Sequence, residues 1–333
     1  MTTVRHTAEH IEHWLREGAV ILPDFFTGKE LAPVIDDMEA LYGHLRPTDP
    51  DAHRKFDSTT VRAKQFEHTQ DMPFPASPAV NLLGLHPALI ATARAALGTD
   101  DVRLYQNHTW AKFTGQTDFD QPHHCDFKNH TLTVPGEQAV DRTINFMIYL
   151  TDVTDAHGAI HYVPLSSSDP IVGDNRMSFA STTDGTLDRL KEVEQSGAAP
   201  AGSVFAYGID VYHRGTNLTA PDGHRFTVTA SYKAAGNDQI GWSAWPRWFR
   251  EPWELVMNHA TPEQLGCLGV PTPGDPFWTE LTLHRTSERW PKMDLTPYRA
   301  AINSQPAGAL VSSRTLTASA DQAALGISGV APG

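Results

Sequence analysis

Gln121-Pro122-His123-His124-Cys125-Asp126 is the stretch on which the reading of this chain turns. Side chains alternate between the two faces of an extended strand, so His124 and Asp126 point to the same side. An imidazole nitrogen and a carboxylate oxygen converging there suit a divalent transition metal. Cys125, between them, faces the other way and reads as core. The third donor has to come from elsewhere, and the candidate is His213 in Tyr212-His213-Arg214-Gly215, inside another predicted strand. Two histidines and one carboxylate on one face of an octahedron leave the remaining positions open.

A His-x-Asp triplet is weak on its own in a chain with 17 histidines. Its company strengthens it. Arg225 opens the apolar strand Phe226-Thr227-Val228-Thr229-Ala230-Ser231-Tyr232. A buried guanidinium is costly unless it meets a carboxylate, and its fork matches a carboxylate in two bonds. Around these residues lie short β-branched or aromatic runs separated by Gly, Pro and Asp turns: 102–106, 109–113, 131–134, 143–150, 160–163, 203–207, 211–214 and 226–232. Such a series predicts a mainly β fold, a sandwich or barrel, and not βαβ units.

The flanks read as helical. Thr7 is a candidate N-cap for a helix ending at Gly18, Ala19-Val20-Ile21-Leu22 a short strand, and Thr27-Gly28-Lys29-Glu30 a capping box. Residues 45–78 are polar and predict a long loop, and Pro87 to Gly98 predicts a helix with Pro at its start and Gly at its end. A helical insert around Leu187, Leu190 and Val193 interrupts the strands. Beyond residue 236 the pattern is helical and aromatic, with a further capping box at Thr261-Pro262-Glu263-Gln264. No Gly/Ser-rich linker splits the chain, so one domain is expected over 1–305, with its core at about 100–235, a helical extension over 236–305, and a mobile tail over 306–333.

The balance of 26 Lys+Arg against 39 Asp+Glu gives a formal charge of −13, which argues against a nucleic-acid partner. Two cysteines make no disulfide framework and no thiolate metal cluster. No secretory leader and no apolar run long enough for a bilayer are apparent, so a cytoplasmic protein without a membrane partner is expected. A monomer or homodimer is expected.

Taken together, these blocks resemble the phytanoyl-CoA dioxygenase family of Fe(II)/2-oxoglutarate-dependent oxygenases. The matching pieces are Leu15-Arg16-Glu17-Gly18-Ala19-Val20-Ile21-Leu22-Pro23, His124-x-Asp126, Tyr149-Leu150-Thr151-Asp152 leading to His157-Gly158-Ala159-Ile160-His161-Tyr162-Val163-Pro164, and Gly202-Ser203-Val204-Phe205 leading to His213, Asn217 and Arg225. The resemblance implies a double-stranded β-helix (jelly-roll, cupin-like) core with flanking helices. It implies His124, Asp126 and His213 as iron ligands, and Arg225 as the anchor for the distal carboxylate of 2-oxoglutarate. Fe(II), 2-oxoglutarate and O2 are the implied cofactor, co-substrate and oxidant. The family's usual Pro-Gly-Ser-His turn is here Pro164-Leu165-Ser166-Ser167-Ser168, read as a rim turn. Asp126 separates the chain from related halogenases, which carry a small residue there.

Gln106 and Lys112, on the strands before the metal pair, are further candidate co-substrate contacts, as are Thr143, Asn145 and Thr227. His123, Trp245 and Trp248 are candidates for substrate contact. The expected reaction is oxidation, most simply hydroxylation, of an aliphatic C–H in a small organic molecule, with 2-oxoglutarate decarboxylated to succinate. The same cofactors serve desaturation, ring formation or epimerisation. A cupin-like metal protein or hydrolase that uses no 2-oxoglutarate is the alternative of another class, and Arg225 is what separates the two.

Overall fold

The β-branched runs assemble into two facing sheets. The structure, a computed structural model, describes residues 4–48, 69–114, 120–132, 134, 136, 138–173, 176, 180–241 and 251–304. The strands are β1 (Ala19–Leu22), β2 (Thr69–Asp71), β3 (Val102–Phe113), β4 (Thr143–Tyr149), β5 (His161–Val163), β6 (Gln195–Ser196), β7 (Val204–Tyr207), β8 (Tyr212–Arg214) and β9 (His224–Ala234). The larger sheet runs β1-β7-β4-β9-β3-β2 and the smaller β6-β5-β8, with antiparallel pairing between neighbours. The stretch from Gln121 to Asp126 adds to the smaller sheet through a bridge between His124 and His213. This is the jelly roll that the family resemblance implies.

Strand parity divides the labour. Ile144, Phe146, Ile148, Phe226, Val228, Ala230 and Tyr232 form one face of the larger sheet and enter the main core. Helices α1 (Ala8–Glu17), α2 (Gly28–Tyr42), α3 (Pro78–Leu83) and α4 (Pro87–Leu97) meet that face with Trp14, Leu31, Val34, Met38, Val80, Leu89, Ile90 and Leu97. Truncating a ring at this centre, such as Phe146, costs about 3–5 kcal/mol. The opposite face, including Asn145, Met147, Arg225 and Thr229, looks into the space between the sheets. The predicted caps are in place: Thr7 and Thr27 each make a capping box, and Gly18 and Gly98 end their helices in the left-handed region.

The outer face of the smaller sheet is covered by α6 (Leu165–Val172) and α7 (Thr186–Glu192), with α5 (Phe127–His130) directly after the metal pair. At the C-terminal end, α8 (Glu254–Met257), α9 (Pro262–Cys267), α10 (Glu280–Arg289) and α11 (Thr296–Asn303) bring Trp253, Leu265, Trp278, Leu283 and Tyr298 into the main core.

Five expectations change. The two strands predicted at 102–106 and 109–113 are one strand, β3, whose register against β9 shifts between Leu104 and Gln106. Such a bulge breaks simple alternation, and alternation was the signal used. The rim turn expected at Pro164–Ser168 is instead the start of α6, with Pro164 as its N-cap residue. The strand expected over 131–134 is, among the described residues, a single bridge between Thr131 and Ile240. Pro78–Leu97 is 20 residues long with mean hydropathy 1.3, enough by length and composition to cross a membrane. It is broken into α3 and α4 at Gly84–His86, and 67% of it is buried in this fold. The loop expected at 45–78 contains β2 in its described part, while the tail from 306 lies outside the described residues.

Candidate metal centre

His124 and His213 face each other across one pair of antiparallel backbone bonds, each N–H donating to the other's carbonyl at 2.9 Å. Asp126 follows as the chain turns into α5. One ligand atom from each of the three lies within 4.8 Å of the others. Asp126 Oδ1 is 3.7 Å from His124 Nε2, and Oδ2 is 3.5 Å from His213 Nε2. Metal–nitrogen and metal–oxygen bonds of about 2.0–2.2 Å require donor atoms about 3–4 Å apart, as both carboxylate–imidazole pairs are.

The protonation pattern suits a cation. His124 Nδ1 lies 3.0 Å from Pro122 O, and His213 Nδ1 lies 3.0 Å from Val211 O. A carbonyl only accepts, so each Nδ1 carries the proton and each Nε2 turns its lone pair toward Asp126. Burial pushes the His213 pKa down, keeping that ring neutral. For Asp126, burial acts upward, but the imidazoles of His213, His130, His124 and His108 outweigh it and hold the carboxyl below its ordinary range. Two neutral nitrogens and one anionic oxygen fit a divalent iron.

All three residues line a cavity of about 420 Å³ between the sheets. Arg225 lines it too, and is 6% exposed. Its Nη1 donates to Gly158 O, while its buried Nε has no hydrogen-bond partner among the described residues. No carboxylate pairs with it among the described residues. Burial lowers its pKa to about 10, far above neutrality, so it remains a cation. Lys112 stands directly opposite Arg225 in the β3–β9 register, and its Nζ donates to Thr216 O at 3.0 Å. Gln106 and Lys112 line the cavity; Thr143, Asn145 and Thr227 lie on the same sheet face as Arg225 and Thr229 but outside the cavity's lining. Buried Thr143 Oγ1, Asn145 Nδ2, Thr227 Oγ1 and Thr229 Oγ1 have no hydrogen-bond partner among the described residues. Thr229 lines the cavity.

The substrate reading of His123 is corrected. It is fully buried on the outer face of the smaller sheet, with Nε2 2.9 Å from Glu194 Oε2. A residue next to an inward-facing ligand on an extended strand points outward, and His123 obeys that parity. Trp245 and Trp248 lie outside the described residues, and Trp253 is part of the main core. The cavity wall also carries His108, Trp110, Met147, Ile160 and Tyr207, with Asp71 from β2 beside His108. His108 and Trp110 share parity with Gln106 and Lys112, a signal available once β3 is read as a single strand.

The family model described as phytanoyl-CoA dioxygenase (PhyH) matches residues 14–225. No match was found among curated proteins. Among solved structures, EctD from S. alaskensis with 2-oxoglutarate and 5-hydroxyectoine superposes with a TM-score of 0.53 and 17% identity, covering 71% of this chain and 79% of that one. The non-heme alpha ketoglutarate dependent carbocyclase SnoK from nogalamycin biosynthesis gives 0.50 and 18%, covering 71% and 87%. The epimerase SnoN in complex with Fe3+, alpha ketoglutarate and nogalamycin RO gives 0.50 and 19%, covering 68% and 83%. At these identities the likeness is one of fold.

Proposed function

The chain belongs to the phytanoyl-CoA dioxygenase family, and on that premise we propose how its own residues serve a non-haem iron, 2-oxoglutarate-dependent oxygenase. His124, Asp126 and His213 hold Fe(II), and Arg225 takes the distal carboxylate of 2-oxoglutarate. When bound, the iron and 2-oxoglutarate together supply the oxidising chemistry, O2 being consumed as the co-substrate is decarboxylated to succinate and CO2.

The protein contributes placement and exclusion of water. The Nδ1 bonds to Pro122 O and Val211 O keep both imidazoles in the tautomer that binds metal. Asp126 offsets part of the metal's charge. Arg225 offers a planar fork in a dry site, where a carboxylate is held more strongly and with one orientation. Gln106 and Lys112 flank it on the same wall, and Thr143, Asn145 and Thr227 extend the same sheet face beside it. Met147, Ile160 and Tyr207 supply apolar surface that keeps bulk water from the reacting centre. The substrate is a small organic molecule, received in the cavity beside His108 and Trp110, and the outcome is hydroxylation of an aliphatic C–H. The helices over 251–304 are part of the same catalytic domain, a reading supported by their share in the main core.

The observation that carries this reading is Arg225, a buried cation that faces the same cavity as the His/Asp/His group and has no carboxylate partner among the described residues. The test is succinate release from 2-oxoglutarate with Fe(II) and O2, together with mass analysis of products from a panel of small molecules. Succinate release that is lost in Arg225→Ala is the expected result. Turnover untouched by Arg225→Ala, or none in the wild type, would overturn the reading. A substrate gaining one oxygen supports hydroxylation; loss of two hydrogens or an inverted centre would point instead to desaturation, ring formation or epimerisation.

A further inference from the structure

On the face of the smaller sheet turned away from the cavity, one carboxylate gathers three side chains. Arg214 grips Glu194 with both arms of its fork, Nε to Oε2 and Nη2 to Oε1, each at 2.8 Å. His161 Nδ1 hydrogen-bonds Glu194 Oε1 at 2.9 Å, and the His123 ring packs against the same carboxylate, Nε2 2.9 Å from Oε2 but without the alignment of a hydrogen bond. These partners come from three pieces of chain: His123 from the stretch before Asp126, His161 from β5 and Arg214 from β8. Further out, Asp120 approaches Arg214 at 3.4 Å and Asp155 approaches His161 at 3.2 Å.

The placement matters because His123 precedes His124 and Arg214 follows His213. Neighbouring Cα atoms are about 3.8 Å apart through a rigid peptide plane, so a shift of one residue carries to the next. On the cavity side, the two ligand segments are joined by the reciprocal backbone bonds of His124 and His213, and by the bond from Gln121 N to Gly215 O at 2.9 Å. Glu194 ties the same two segments from behind.

We propose that Glu194 is a positioning residue for the metal site, setting the spacing of His124 and His213 by holding His123 and Arg214 on the far side of their strands. The proposal rests on the reading of His124, Asp126 and His213 as the iron ligands. Groups that orient metal ligands without touching the metal change its affinity by about 10–100-fold when removed. A group that only stabilises the fold lowers the melting temperature and leaves the affinity of the folded protein unchanged.

The experiment is an anaerobic calorimetric titration of the full chain with Fe(II), run beside thermal unfolding, on wild type, His124→Ala, Glu194→Ala, Glu194→Gln and Glu194→Asp. The expected result is a Kd raised about 10-fold or more in Glu194→Ala. Glu194→Gln, with the same length and one acceptor oxygen, recovers most of the affinity. A Kd within twofold of wild type in Glu194→Ala, with only a lower melting temperature, overturns the proposal. Where Glu194→Ala does not fold, Glu194→Asp decides: one methylene shorter, it raises the Kd severalfold if the spacing is set from behind, and leaves it unchanged if not. Fe(II) binding equally well to His124→Ala, or absent from the wild type, would sink the iron-site reading itself, and the positioning role with it.

Discussion

Replacing the Arg225 guanidinium by the ammonium of lysine keeps the positive charge but removes the fork. A hydrogen bond to a charged group contributes about 1.5–3 kcal/mol, so Arg225→Lys is expected to raise the KM for 2-oxoglutarate by about 10–100-fold. The Kd for Fe(II) stays as in the wild type, since the metal ligands are untouched. Succinate assays at varied 2-oxoglutarate read the first, and metal titration the second; an unchanged KM would shift the anchor away from Arg225. That His124, Asp126, His213 and Arg225 would meet at one cavity was legible because donor chemistry and strand spacing are properties of the local chain. His123 was misread because adjacency in sequence was given more weight than the two-residue period, which already turned it away from the metal. Met147, Ile160 and Tyr207 gave no such signal: an apolar residue on a doubly buried strand reads the same whether it faces a cavity or a core.

At the scale of elements, the turn at Gly158 supports the basic wall of the cavity. Gly158 has φ +73°, its carbonyl accepts from Arg225, and a Cβ there would lie 2.7 Å from Thr216 O. Thr216 in turn accepts from Lys112 Nζ and donates its hydroxyl to Ala159 O at 2.6 Å. Gly158→Ala therefore combines a backbone cost of about 1–2 kcal/mol with a push on the segment that holds both cations. A lower melting temperature and a weaker hold on 2-oxoglutarate, with Fe(II) affinity preserved, are expected from calorimetry; an unchanged co-substrate affinity would show the turn to be structural only. Helix boundaries were the most readable elements, since Thr7, Gly18, Thr27, Pro87 and Gly98 act through contacts a few residues away. Strand pairing and the Leu104/Gln106 register shift depend on partners far along the chain, and no local pattern announced them.

For the molecule as a whole, acid acts in two windows. Burial holds His108 at about 4, below its ordinary 6.5, so between those values the unfolded chain binds a proton that the folded chain refuses. Stability therefore falls as pH drops through that range. Glu30 is held at about 2 against an ordinary 4.5, chiefly by its hydrogen bonds from Arg5 and despite burial. For Glu194, burial acts upward, but Arg214 and His161 outweigh it and the carboxyl also sits at about 2. Those two contributions are present above pH 4.5 and are lost as pH falls toward 2. Urea midpoints of the chelator-treated protein are expected to decline already between pH 6.5 and 4, and less steeply in His108→Asn. A midpoint flat to pH 4.5 would contradict the neutral buried imidazole. A mainly β sandwich or barrel was legible from the run of short strands and the jelly roll from the family resemblance, whereas the sharing of one core by the N-terminal and C-terminal helices was not, because it joins residues such as Trp14 and Tyr298 from opposite ends of the sequence.

The register shift in β3 has a consequence for how such a protein diversifies. Past Tyr105, one set of alternate positions, Asn107, Thr109, Ala111 and Phe113, is committed to the sheet face that carries the helices, and the other, Gln106, His108, Trp110 and Lys112, to the cavity. Natural variation or a directed library confined to His108 and Trp110 can therefore explore new ligands while the folding contacts of the same strand stay constant. A single-residue insertion or deletion after the bulge would exchange the two sets, so along this strand new specificity is reached by substitution and not by change of length.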